Sequence, residues 1–214
     1  MSKLYVHPLP VRIWHWTNAL CFILLILTGT QIRYLGLFDL MSFRTAVLVH
    51  NWVGFILMGN FSIWLIFYLF SPKNKTYHPD FNLLKVAREC FGQLQYYGYG
   101  IFKGDPSPHH LDPYNKFNPL QRMLYQVLML MLLPLQFFTG LLMWDLQRFS
   151  GIVDALGGVR VIDTVHVLIF IFFVFYILIH PYLATLGHTP TAHIKAMISG
   201  YEDVEEHPES HTAT

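Results

Sequence analysis

The sequence predicts an all-α membrane protein: a four-transmembrane-helix bundle with both termini in the cytoplasm. Three observations carry this. Of 214 residues, 54% are hydrophobic and only 13% charged, where a soluble domain carries about 25% charged residues. Asp, Glu, Lys and Arg are absent from residues 13–32, 45–72, 123–144 and 164–194. Each gap reaches the roughly 20 residues a helix needs to cross about 30 Å of hydrocarbon. Finally, 12 histidines stand against 14 Lys plus Arg, an excess that simple surface charge does not explain. The same composition excludes other classes. An aromatic content of 16% argues against disorder, and a net charge of +1 leaves no footprint for nucleic acid. Cys21 and Cys90 make neither a disulfide framework nor a Cys-x-x-Cys site.

Taken in order, the first helix is expected over about 12–33. Its apolar stretch is longer than a secretory h-region and ends Thr28-Gly29-Thr30-Gln31-Ile32-Arg33, without a small-residue cleavage site, so it is read as retained. The second is expected over about 46–70, the third over 120–144 and the fourth over 164–187. The surplus length of the second and fourth gaps is tilt or interfacial overhang. In the 71–119 loop, Leu83, Leu84, Ala87, Cys90, Phe91 and Leu94 recur at helical spacing between Lys85, Arg88 and Glu89. That pattern predicts a helix on the cytoplasmic membrane surface. Gly98 to Asn118 reads as irregular, and residues 196–214 as a polar tail, mobile after Gly200. The transmembrane domain is thus residues 1–195. Lys and Arg fix its orientation: ten lie in the N-terminus, the long loop and the tail, and four (Arg33, Arg44, Arg148, Arg160) on the other side.

Eight histidines fall in loops, tail or before the first helix. His15, His50, His166 and His180 lie in or at the membrane, where an ionisable group is costly and marks function by default. The competing explanation is a neutral imidazole hydrogen-bonded between helices. His166 and His180 are 14 residues apart, about 21 Å along the axis and about 40° in azimuth. Helix direction then sorts the four by depth, His50 with His166 on the outer side and His15 with His180 on the inner side. Two histidines are too few for zinc and enough for the two axial positions of a haem. With both axial positions filled, the chemistry left is one-electron transfer. Gly29, Gly54, Gly59 and Gly140 lie in helix interiors, as close-packing positions or as room for a porphyrin face. Arg12, one turn before His15, is placed to pair with an inner propionate, and Arg44 and Arg160 with outer ones. The Phe170, Phe172, Phe173 and Phe175 cluster reads as lipid-facing and core bulk.

The chain resembles the di-haem cytochrome b membrane subunits of respiratory NiFe hydrogenases, formate dehydrogenase and thiosulfate reductase. The resemblance covers residues 7 to about 190. It rests on Arg12-Ile13-Trp14-His15-Trp16 opening helix 1, Thr28-Gly29 closing it, His50 early in helix 2, and His166-x13-His180 on helix 4. It implies two haem b groups, the inner on His15 and His180, the outer on His50 and His166. It also implies a quinone site (menaquinone or ubiquinone) beside the cytoplasmic haem. There Lys116-Phe117-Asn118-Pro119-Leu120-Gln121 is similar to the family's stretch, and Asn118 maps onto its quinone-side Asn. Asn118 also reads as a helix N-cap with Pro119 at N1. Pro181 directly after His180, and the Tyr- and Pro-rich loop, depart from the pattern.

The resulting expectation is an electron-transferring subunit of a respiratory oxidoreductase in the prokaryotic inner (cytoplasmic) membrane. Its partners would be a periplasmic iron–sulfur subunit with its catalytic subunit, a quinone and the lipid membrane, with a higher oligomer of the complex open. Electrons would pass from outer to inner haem to quinone, or in reverse. Two rivals remain. One is a transporter using histidines for protons or metal, which predicts helices broken at mid-membrane, with Pro134 the only clear site. The other is a cofactor-free anchor, which leaves the depth pairing a coincidence.

Overall fold

The computed structural model describes residues 2–70, 82–106, 108, 118–185 and 189–204. Lys116 and Phe117 of the stretch quoted above, and six of the eight loop and tail histidines (78, 109, 110, 188, 207 and 211), lie outside these residues. The elements run β1 (Ser2–Tyr5), α1 (Leu9–Arg33), α2 (Phe43–Phe70), α3 (Leu83–Gln95), α4 (Pro119–Trp144), α5 (Ser150–Ala155), α6 (Val159–Ala184), α7 (Ala192–Ser199) and β2 (Tyr201–Val204). Four of them, α1, α2, α4 and α6, are long and apolar enough to cross a membrane.

Each spanning helix starts a few residues ahead of its charge-free gap, because charge marks the edge of hydrocarbon and not the edge of a helix. Arg12, Arg44, Arg122 and Arg160 all sit in early turns, where a long side chain reaches the interface. Local chemistry sets the starts. Pro10 lies at the first positions of α1, where a missing N–H costs nothing. Asn118 caps α4 reciprocally. Its Oδ1 accepts from the Gln121 N–H at 2.8 Å, and Gln121 Oε1 accepts from the Asn118 N–H at 3.2 Å. Within α4 a π-turn over Leu128–Leu132 ends two residues before Pro134, shifting the register near the point where proline has no N–H to give. Pro181 does not end α6, which continues to Ala184.

Two short features were not anticipated. The chain's first and last described residues pair as antiparallel strands, Ser2 opposite Val204 and Tyr5 opposite Tyr201. The first residues of the tail are therefore ordered. Gly200 makes the connection: at φ +93° it caps α7, and its carbonyl accepts from Val6 and His7 at 2.9 and 3.1 Å. A Cβ there would lie 2.9 Å from the His7 carbonyl oxygen. Second, Gly98 to Lys103 is helical, a π-turn over Tyr96–Gly100 and a short turn stopped by Gly104 at φ +79°.

The chain divides into two compact units, Met1–Asn60 with Phe170–Thr214, and Phe61–Ile169. In the first, α1 is the hub. The Trp14 indole donates to the Asn60 carbonyl at 3.1 Å, and Asn60 Nδ2 donates to the Trp14 carbonyl at 3.2 Å, locking α1 to α2. Phe22 meets Phe173 edge-on at 4.9 Å. Phe173 is buried while Phe175 is exposed, so the phenylalanine cluster divides between core and outer surface. The burial pattern of α1 is that of a membrane helix: its buried positions are Cys21, Thr28 and Gln31, and Leu20 and Ile23 are exposed.

In the second unit, α3 is the expected amphipathic helix. Asn82 caps it, Cys90 Sγ sits 3.8 Å from Met123 Sδ of α4, and Arg122 reaches Glu89 at 3.6 Å. Burial and the Glu89 charge push the Cys90 thiol up, so it stays neutral at this contact. Leu84, Phe91 and Leu94 remain exposed, the apolar face a helix needs to lie on a membrane. Trp64 of α2 donates to the Tyr125 hydroxyl of α4. Leu142, Val153 and Ile162 form a small core joining α4, α5 and α6.

The Trp14–Asn60 lock yields a test. Interhelical hydrogen bonds in membranes average about 0.6 kcal/mol, and Asn60→Leu removes the Asn60 donor while leaving its carbonyl. The variant should lose about 0.6 kcal/mol and show a lower unfolding midpoint in detergent. An unchanged midpoint would show that the Asn60 side-chain bond contributes nothing.

Candidate functional site

His15 stands in the second turn of α1 and His180 in the last turns of α6, both in the first unit. Their ring centroids are 6.1 Å apart with planes at 45°. Trp16 meets the His15 ring edge-on at 5.3 Å, and Tyr176 stacks on His180 at 5.3 Å. His15 Nδ1 is buried without a partner. A metal ion holding one nitrogen of each ring at about 2 Å needs ring centres about 6 Å apart. The inner pair expected from the sequence is thus brought together at ligation spacing.

The other two histidines are each seated within their own unit, and in the same way. His50 Nδ1 lies 2.9 Å from the Thr28 hydroxyl, and that hydroxyl also donates to the Leu24 carbonyl at 2.7 Å. His166 Nδ1 lies 2.9 Å from the Thr139 hydroxyl, which donates to the Leu135 carbonyl at 2.9 Å. A glycine follows each threonine. A Cβ at Gly29 would lie 3.2 Å from His50 Cε1, and one at Gly140 3.2 Å from His166 Cε1. Hence Gly29 and Gly140 admit a ring, whereas a Cβ at Gly54 or Gly59 meets nothing within 4 Å. Gln136 Nε2, an amide donor, lies 3.1 Å from His166 Nε2. Thr28, Thr139 and Gln136 carry no signal as single residues. The sequence does repeat Thr-Gly, at 28–29 and 139–140, at similar depths in α1 and α4, but nothing local shows which side chain each meets.

Arg12, expected near an inner propionate, donates through Nη1 to the Ile198 carbonyl at the end of α7, and its Nε is buried without a partner. Trp16 donates to the neighbouring Met197 carbonyl at 3.1 Å. Asn118 is buried. Besides capping α4, its Nδ2 donates to the Tyr97 hydroxyl at 2.9 Å. Tyr97 was not singled out from sequence. Burial pushes its phenol up, and the Asn118 and Gln93 side chains pull it partly back. Gln93 is itself buried, so Gln93, Tyr97 and Asn118 form a polar cluster that joins the start of α4 to the end of α3.

Among the described residues, no three His, Cys, Asp or Glu side chains group to hold a metal ion. The donor set is imidazole alone, in a surrounding of helix carbonyls and apolar side chains. Two facing imidazoles at 6.1 Å, with no third protein donor grouped with them among the described residues, fit a flat group that brings four ligands of its own.

The comparisons agree. The family model for prokaryotic cytochrome b561 matches residues 6–200. "Putative cytochrome YdhU" of Escherichia coli (strain K12) is 35% identical over 203 residues, 94% of this chain and 75% of that protein. "F420 non-reducing hydrogenase II cytochrome subunit" of Methanosarcina mazei is 26% identical, covering 91% of this chain and 81% of its own. "Probable Ni/Fe-hydrogenase B-type cytochrome subunit" of Cupriavidus necator is 25% identical, covering 94% and 88%. No solved structure matches significantly. With its four apolar helices and its histidines arranged as described, the chain belongs to the prokaryotic cytochrome b561 family, multi-pass b-type cytochromes of the inner membrane that work in electron transfer.

Proposed function

We propose that the chain is the di-haem membrane subunit of a respiratory oxidoreductase. The 6.1 Å approach of His15 and His180 carries this reading. These two would hold the inner haem, and His50 and His166 the outer one, the second pairing resting on depth along the helices and on the family resemblance. Bound there, the haems supply one-electron transfer across the bilayer between a periplasmic iron–sulfur partner and a quinone near the cytoplasmic face. Two of the relatives are hydrogenase cytochrome subunits by name, which supports a catalytic partner of that kind. With both termini in the cytoplasm, the Lys and Arg excess lies on the inner side. The antiparallel pairing of β1 with β2 is consistent with termini on one side.

The chain's own residues do the remaining work. The histidines bind through neutral imidazole. Arg12 places a cation one turn from His15, suited to a propionate. Near the start of α4, the Tyr97 oxygen accepts from Asn118, and burial keeps the phenol protonated. Its O–H is therefore a neutral donor for a quinone oxygen, with Asn118 holding it in place.

A dithionite-reduced minus oxidised spectrum with haem extraction should give two b haems per chain, and a colourless preparation would sink the reading. His180→Ala should lower the haem content to one per chain and leave the outer signal intact. Retention of both haems would show that His180 is no ligand.

For the quinone cluster, Tyr97→Phe removes the hydroxyl and leaves the Asn118 cap of α4 in place. Quinone turnover should fall with both haems retained. Asn118→Ala should lower turnover too, and in addition cost about 1 kcal/mol of stability for the lost cap. Normal turnover and quinone KM in Tyr97→Phe would remove the cluster from the quinone site.

A further inference from the structure

His50 and His166 lie on different helices and in different units, yet each is held by the same dipeptide in the same geometry. Thr28 and Thr139 are 2% and 4% exposed. A hydroxyl has a single proton. In both threonines that proton is directed to the carbonyl four residues back, so toward the ring the oxygen can only accept. The nitrogen facing it, Nδ1, must then carry the ring proton, which leaves the lone pair on Nε2. At His166 the Gln136 amide nitrogen lies 3.1 Å from Nε2, which fits a lone pair there, and ligation through Nε2 would displace this amide. Threonine hydroxyls in spanning helices commonly bond back to their own carbonyls. That habit does not require a histidine at 2.9 Å, nor a following glycine whose Cβ would crowd the same ring, and both recur here.

We propose that Thr28 and Thr139, each with its following glycine, are positioning residues that fix the His50 and His166 rings in one tautomer, with Nε2 left free to ligate, and that each lowers the reduction potential of the haem its histidine would hold. This rests on the ligation proposed above. An acceptor on Nδ1–H makes the imidazole a more basic ligand, which favours the ferric state. Hydrogen bonding around an axial ligand is one of the protein's means of setting potential.

Redox potentiometry of the full chain in membranes, followed by visible spectra, resolves the two haems. Thr28→Val and Thr139→Val keep the side-chain shape and remove the hydroxyl acceptor, while the Leu25 backbone bond at His50 stays. Each should raise the midpoint of the same haem and leave the other unmoved. Thr28→Ser and Thr139→Ser should restore the original value, and the double valine variant should shift it further. Wild-type haem content and potentials in both valine variants would overturn the positioning role while leaving the haem reading intact. Shifts in two different haems would overturn the shared ligation. A wild-type chain without haem would overturn the reading itself. If a valine variant loses a haem outright, the serine variant decides: retention supports the proposal, and loss there too overturns it.

Discussion

Hydrocarbon offers no water, so every polar group on a spanning helix has to find its partner inside the protein. That constraint organises the site. A threonine in such a helix sends its proton to its own backbone. Once it has, its oxygen is an acceptor with a fixed direction. Thr28 and Thr139 both do this, and a histidine from another helix answers each of them. The rings gain an orientation, and the helices gain a polar contact in a medium where apolar packing alone does not distinguish one neighbour from another. The same logic explains why Thr28 and Gln31 are buried in α1 while leucines and isoleucines around them face outward.

Helix α1 gathers the first unit around that constraint. Its early turns carry Arg12, Trp14, His15 and Trp16, which reach three different elements: α7, α2, α6 and α7 again. Successive residues of a helix face different directions, so one tight turn reaches most of its surroundings. The β1–β2 ladder and Gly200 then secure the chain ends beside it. The position of His15 is therefore over-determined, as suits a residue whose buried Nδ1 makes no hydrogen bond of its own.

Much of this was legible in the sequence, because charge-free length and helical period are properties of the chain taken alone. Four gaps gave four spanning helices, and 14-residue spacing put His166 and His180 on one side of α6. Tertiary partners were not legible. Arg12 one turn from His15 is readable as a propionate candidate, whereas the bond of its Nη1 to the Ile198 carbonyl is a contact no local pattern records. Asn118 was readable as a cap from Asn-Pro, whereas its bond to Tyr97 depends on how α3 packs against α4. The π-turn before Pro134 and the β1–β2 ladder escaped for a similar reason. The first is a register shift that proline makes locally favourable. The second pairs residues about 200 apart in a chain with no other strands among the described residues.

The two histidine environments also differ in kind, and the difference has a direction. His50 and His166 each have Nδ1 against a hydroxyl oxygen that must accept. His15 has Nδ1 buried with nothing to accept from it. On the ligation proposed above, with each ring binding through Nε2, His50 and His166 would be the more basic ligands and His15 the less basic one. Basic ligands favour the ferric state, so this contrast alone places the outer site at the lower potential. Such a bias in the ligand sets would favour transfer from the outer to the inner site and would act against the membrane field, which, negative inside, opposes inward movement of an electron. The bias originates in one detail of helix chemistry: on α1 and α4 a buried threonine stands opposite a histidine, and at His15 no hydroxyl does.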